Sequence, residues 1–210
     1  MQFERLYEAI VNGDKNSAVE VTQQALDGGD DPQAMIDEAM IPAMREAGQR
    51  FENEEFFVPE LLLAARAMKA ALALLRPLLV EGGAEPKGRV VIGTVKGDLH
   101  DIGKNLVSSM LEGAGFDVID LGTDVAPEQF VAAVQEKNAN LVGLSALLTV
   151  TMPAMKLTVD ALEQAGVRDK VKVLVGGAPL TSEYASEIKA DAYADNASAA
   201  VRMAEQLVGS

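Results

Sequence analysis

His100 is the single histidine among 210 residues, and it stands in the stretch VKGDLHDIGKNLV (95 to 107), between Asp98 and Asp101 and flanked by Gly97 and Gly103. Asp98, two residues earlier, can accept a hydrogen bond from one ring nitrogen. That would fix the tautomer and leave the other nitrogen as a lone-pair donor, the support commonly found behind a metal-bound histidine. The chain has no cysteine and no second histidine, so the remaining donors of a metal site built from protein alone would all be carboxylates. One imidazole suits a metal that brings its other ligands with it. Plainer readings stay open on these residues alone: a solvated loop histidine, Asp98 as a turn residue or helix cap, and Gly103 easing the chain into a helix.

Two further groups of small residues end apolar runs. Ser145 closes on LVGLSAL (141 to 147), and Gly176-Gly177 end VKVLVGG (171 to 177). A hydroxyl buried in an apolar strand needs a partner and costs about 1 to 3 kcal/mol without one. Small side chains at both places would keep a slot open between the strand ends, wide enough for a flat heterocycle. The glycine pair on its own is equally a tight turn.

The elements that position these residues follow from periodicity. RVVIGTV (89 to 95), FDVIDLG (116 to 122), LVGLSAL and VKVLVGG read as buried strands, DAYA (191 to 194) reads as a fifth, and helical patterns fall between them. Such alternation predicts a parallel five-stranded α/β sheet in the flavodoxin-like order 2-1-3-4-5, with right-handed crossovers. Ligands of that architecture bind beyond the carboxyl ends of the strands, where strands one and three diverge. His100, the segment from Ser145 to Thr151, and Gly176-Gly177 all fall there. Residues 1 to 84 read differently, as a small antiparallel bundle of four helices. Met35, Ile36, Ala39, Met40, Ala43, Met44, Ala47 and Phe51 step by three or four, Asp31-Pro32 supplies a helix start, and Pro59 opens PELLLAARAMKAALALL. EGGAEPKG (81 to 88) reads as the linker, so the second domain is expected over 85 to 210.

Composition narrows the partners. Thirty-two acidic against 18 basic residues leave a net charge of −14 with no basic stripe, which repels a phosphate backbone and argues against nucleic acid. No apolar run reaches the roughly 18 residues of a membrane span, and MQFERLYEAI lacks the apolar core of a signal peptide. A membrane is therefore not expected as a partner, and a cytoplasmic location is expected.

DLHDIG (98 to 103), SAL (145 to 147) and GG (176 to 177) resemble, in order and in strand context, the DxHxxG, SxL and GG signature of methyltransferase-type cobalamin-binding domains. The resemblance spans about residues 87 to 208, and the preceding bundle is similar to the helical cap domain of that family, which includes the cobalamin-binding module of methionine synthase. With no barrel or reactivation module in view, the chain resembles the stand-alone corrinoid proteins that serve methylamines, methanol, methoxylated aromatics or betaines. The resemblance implies cobalamin or a related corrinoid, cycling through methylcobalamin, cob(I)alamin and cob(II)alamin. It implies His100 as the lower axial ligand of cobalt, Asp98 on its far nitrogen, and Thr151 where relatives carry a serine of the ligand relay. Asp101, Ile102, Gly103, Ser145, Leu147, Thr149, Gly176 and Gly177 would then line the cofactor and its displaced base. Phe51 and Val58, within RFENEEFFVPELL (50 to 62), fall where relatives cover the upper face. Phe56, Phe57 and Leu61 are secondary candidates there, with Phe57 and Leu61 read first as bundle core.

The implied function is a methyl carrier between a donor methyltransferase and an acceptor methyltransferase using tetrahydrofolate or a thiol coenzyme, with a reductive activase as third partner. Two other readings share the α/β domain: a cobalamin-binding subunit of an adenosylcobalamin mutase, where a barrel would replace the bundle, and a cobalamin sensor or storage protein, for which no output domain is visible.

Overall fold

The computed structural model of the protein describes residues 2 to 82 and 85 to 209, so part of the expected linker lies outside the described residues. The chain divides into two units, Met1–Pro86 with Ser109–Gly115, and Lys87–Ser108 with Phe116–Ser210.

The first unit is helical. α1 (Gln2–Val11) turns into α2 (Lys15–Asp27) through Gly13, whose left-handed φ of 69° suits glycine. Asp14 caps α2 by accepting from the Asn16 and Ser17 N–H groups, each at 3.1 Å. Asp31 starts the next helix in the same way, with Pro32 at its first position. The expected regular stripe from Met35 to Phe51 is interrupted: α3 (Pro32–Met35) leads into a π-helical turn, Ile36–Met40, before α4 (Ile41–Glu52). Pro42 accounts for this, because it has no N–H to give and its ring crowds the turn before it; the wider turn relieves both. α5 (Val58–Gly82) runs beyond the expected end near Leu75, carrying Pro77 inside it. Leu6, Ile10, Met35, Met40, Met44, Leu61, Met68 and Leu75 fill the core of this unit.

The second unit is the α/β domain. β1 (Arg89–Thr94), β2 (Asp117–Asp120), β3 (Leu141–Ser145), β4 (Lys172–Gly176) and β5 (Ala192–Ala194) form one parallel sheet in the order β2-β1-β3-β4-β5. Its crossover helices are α6 (Ile102–Gly113, of which Ser109 onward falls in the first unit), α7 (Pro127–Lys137), α8 (Pro153–Gln164) and α9 (Ser182–Glu187), and α10 (Ala197–Val208) follows the last strand. Strands covered on both faces read as continuous apolar runs. Val90, Val91, Leu141, Val142, Val173 and Val175 are accordingly fully buried, each burial stabilising by about 1.5 to 3 kcal/mol. β2 departs from expectation, being a partly exposed edge strand. Among the described residues no helix is long and apolar enough to cross a membrane.

Candidate functional site

Register fixes where the strands end. Thr94 stands opposite Ser145 and Ser145 opposite Gly176, so the loops leaving β1, β3 and β4 start at one level. Beyond β1 the chain stays tied to β3 by Val95 N–H donating to the Ser145 carbonyl at 3.0 Å. It then turns through Gly97 (φ 85°), whose N–H donates to Asp124 Oδ1 at 2.8 Å. Asp124 also pairs with Lys96, and its own N–H donates to the Asp98 carbonyl at 2.9 Å.

This turn delivers Asp98, fully buried, to the centre of a ring of donors. Its Oδ1 accepts from the His100 N–H at 3.0 Å and lies 2.7 Å from His100 Nδ1. Its Oδ2 accepts from the N–H groups of Leu147 (2.8 Å) and Leu148 (3.3 Å) and lies 2.7 Å from Thr151 Oγ1. The Thr151 hydroxyl also lies 2.8 Å from the Leu148 carbonyl, so one proton serves two acceptors. Burial alone would raise the Asp98 carboxyl's pKa, but the donors from Leu147, Thr151 and His100 overcome it and hold the group well below the usual carboxylate range. A fixed carboxylate facing Nδ1 keeps a proton on that nitrogen. Nε2 is left with its lone pair, and no described residue bonds to it.

The surroundings of this half-exposed imidazole are unusual for a surface. Leu99 on the loop after β1, Ile102 at the first position of α6, and Leu147, Leu148 and Val150 after β3 are each between 40% and 80% exposed. Exposed apolar side chains around a polar, oriented imidazole mark a candidate place for an apolar ligand.

The expected site residues divide into groups. Asp98, His100 and Thr151 meet directly, and Leu147 joins them through its backbone. Asp101 lies at the start of α6, where its carboxylate accepts from Asn105 Nδ2 at 3.0 Å; Ile102 and Gly103 follow it, exposed. Ser145 is only partly buried, and its hydroxyl has no protein partner among the described residues. The expected penalty for an enclosed hydroxyl does not arise there, because β3 stops at this residue. Thr149 is exposed. The two glycines differ. A Cβ on Gly176 would meet only the Ala194 carbonyl oxygen, at 3.2 Å, whereas one on Gly177 would lie 1.9 Å from the Ala146 carbonyl oxygen, at a φ of 139°. Gly177 therefore serves a close backbone approach more than an open slot. In the helical unit Phe51 is partly buried and Val58 is 40% exposed. Leu61 is core as expected, but Phe57 is 65% exposed: it precedes α5, where its N–H donates to Glu60 Oε2 at 2.9 Å.

A family model for the B12 binding domain matches residues 88 to 202, and a second of the same description matches residues 2 to 76. The chain belongs to the B12-binding family. The dimethylamine corrinoid protein of Methanosarcina barkeri is 43% identical over 206 residues, 98% of this chain and 96% of that protein. A chain of the crystal structure of the methanol:cobalamin methyltransferase complex from Methanosarcina barkeri superimposes with a TM-score of 0.86 at 32% identity, covering 99% of this chain and 80% of that one. A cobalamin-binding protein from Desulfitobacterium hafniense gives 0.81 at 33% identity, covering 99% and 98%. The cofactor of this B12-binding chain is a corrinoid, and the residues present fit one. Among the described residues no group of three or more His, Cys, Asp or Glu could hold a bare ion, while one oriented imidazole suits a metal held inside a macrocycle that supplies its other ligands.

Sequence reasoning missed several contributors. The N–H groups of Leu147 and Leu148 are backbone donors that no side-chain pattern shows. Asp124, far along the chain, takes a left-handed φ of 55°, and only the DV following LGT hints at a turn. Lys104, almost fully buried, pairs with Asp120 and donates to Asn105 Oδ1 at 2.8 Å, bracing the first turn of α6; a lysine and asparagine directly after Gly103 were its only signal.

Proposed function

We propose that this chain is a corrinoid methyl carrier, in which Nε2 of His100 would hold the cofactor's cobalt. The observation that carries the reading is the imidazole held by a buried, ionised Asp98 at 2.7 Å, with its other nitrogen unpartnered amid exposed apolar side chains. When bound, the corrinoid supplies a cobalt that takes a methyl group in its reduced Co(I) state and yields it from Co(III).

The protein's own part is positional and protonic. Asp98 keeps the proton on Nδ1, so Nε2 presents a lone pair. The ionised Asp98 carboxylate, itself held by the Leu147, Leu148 and Thr151 donors, fixes the orientation of the ring by accepting at Nδ1. Thr151 anchors the carboxylate, and its side chain is nearly buried, so its part is to hold Asp98 still. Ser145, Thr149, Gly176 and Gly177 are proposed to line the place of the displaced base, the free Ser145 hydroxyl offering it a hydrogen bond. Asp101, Ile102, Gly103 and Leu147 are proposed to line the macrocycle, and Phe51 and Val58 to cover its other face.

The partners we propose are a donor methyltransferase, an acceptor methyltransferase using tetrahydrofolate or a thiol coenzyme, and a reductive activase, all in the cytoplasm. The similarity to dimethylamine corrinoid proteins and to a chain of a methyltransferase complex supports this. To test it, the reduced holoprotein is incubated with isotopically labelled methylamines or methanol, each with a cognate donor enzyme. The expected result is labelled methyl on the protein-bound corrinoid with one donor class and none without the enzyme. Failure with every donor, together with an adenosyl upper ligand in the isolated protein, would favour a mutase subunit.

A further inference from the structure

Thr94 is the last residue of β1, six positions before His100, and it is fully buried. Its backbone is tied at both its N–H and its carbonyl: the N–H donates to the Gly122 carbonyl at 2.9 Å, and the carbonyl accepts from the Val125 N–H at 3.0 Å. A β-branched side chain on a fixed strand backbone has little χ1 freedom, so its hydroxyl is a fixed point. That hydroxyl donates to the His100 carbonyl at 2.9 Å.

We propose that Thr94 is a positioning residue for His100, the hydroxyl clamp that sets the aim of its ring. This rests on the reading of His100 as the cobalt-facing residue. Asp98 restrains His100 at its N–H and at Nδ1, both through the same oxygen. Two bonds to one atom leave the residue able to swing about it, carrying the peptide between His100 and Asp101 along. The bond from Thr94 to the carbonyl is a third restraint, on a different atom of the residue and from a different partner, and it stops that swing. With the clamp in place the binding-competent orientation is the populated one; without it, ligation must first select that orientation and is weakened by its lower population. Thr94 acts through His100 and has no need to touch the cofactor.

The test compares Thr94→Val, which keeps the shape and loses the hydroxyl, with Thr94→Ser, which keeps the hydroxyl. Two quantities are read: hydrogen exchange of the His100 amide in the cofactor-free protein, and the fraction of the Co(II) holoprotein showing nitrogen superhyperfine coupling. Loss of one neutral hydrogen bond should speed the exchange and shift the coupled-to-uncoupled ratio by about five- to tenfold in Thr94→Val, with Thr94→Ser within about twofold of the parent. Should Thr94→Val not fold, Thr94→Ala carries the same comparison. A folded hydroxyl-free variant with unchanged exchange and unchanged coupling overturns the proposal, as does a Thr94→Ser protein that behaves like Thr94→Val. If instead the coupling in the parent protein is unaffected by 15N-histidine labelling, the assignment of His100 fails, while amide exchange still decides whether Thr94 holds the loop.

Discussion

Asp98→Asn is expected to leave a folded protein that still takes up corrinoid but no longer ligates it through histidine, and to destabilise the cofactor-free chain by about 3 kcal/mol or more. The carboxylate faces donors only: two on His100, the N–H groups of Leu147 and Leu148, and the Thr151 hydroxyl. An asparagine has one acceptor oxygen, and its amide brings donors of its own, so whichever way it lies some buried N–H faces another N–H. If the oxygen keeps the Leu147 side, the amide faces His100 and donates to Nδ1. The tautomer then reverses, the proton moves to Nε2, and the ring loses the lone pair that ligation needs.

The same carboxylate makes a pH prediction. Its folded pKa lies below the unfolded value of 3.8, so the stabilisation is complete above that value and is lost as pH falls below it toward the folded pKa. Urea unfolding of the cofactor-free protein should show a stability that declines with acid below about pH 4. Asp98→Asn should lack that part of the decline. Equal acid sensitivity in the two proteins would count against the donor ring as its source.

Gly177→Ala should be the most disruptive single-methyl change in the α/β unit. The Cβ would stand 1.9 Å from the Ala146 carbonyl oxygen, which is backbone and cannot rotate aside, and a φ of 139° is strained for any residue but glycine. The loop after β4 must then part from the end of β3, at about 3 kcal/mol or more, and corrinoid uptake should fall with it. Gly176→Ala is the control, since its Cβ would meet only the Ala194 carbonyl oxygen, at 3.2 Å. Thermal unfolding of the two variants, with corrinoid titration at a temperature where both are folded, separates them. If the two lose equal stability, close approach at Gly177 is not what its backbone position serves.

What could be read from the sequence was whatever depends on pattern over many residues. Continuous apolar runs separated by helical segments led to a parallel sheet, and the strand order β2-β1-β3-β4-β5 followed from known preferences of such alternation. Asp98 and His100 were legible because their spacing is local and His100 is the chain's single histidine. The rest depends on three-dimensional neighbours. Thr94 looks like any strand threonine until its hydroxyl is found beside the His100 carbonyl. Ser145 reads as enclosed, yet the strand ends there and exposes it. Pro42 breaks no apolar stripe, and only the missing N–H demands the wider turn before α4. Phe57 keeps helical spacing with the bundle core but stands just before α5 begins, so it faces solvent.

Because His100 is the chain's single histidine, labelling the protein with 15N-histidine alone changes one residue, and this makes the central claim directly measurable. The Co(II) holoprotein is prepared with 14N- and with 15N-histidine, and the superhyperfine splitting of its electron paramagnetic resonance spectrum is compared. Ligation through His100 Nε2 predicts a change from a three-line to a two-line pattern on labelling, and its disappearance in His100→Ala with the corrinoid still bound. A three-line pattern that survives the label would mean that the cobalt is held by the nitrogen of the cofactor's own base, and would contradict the account.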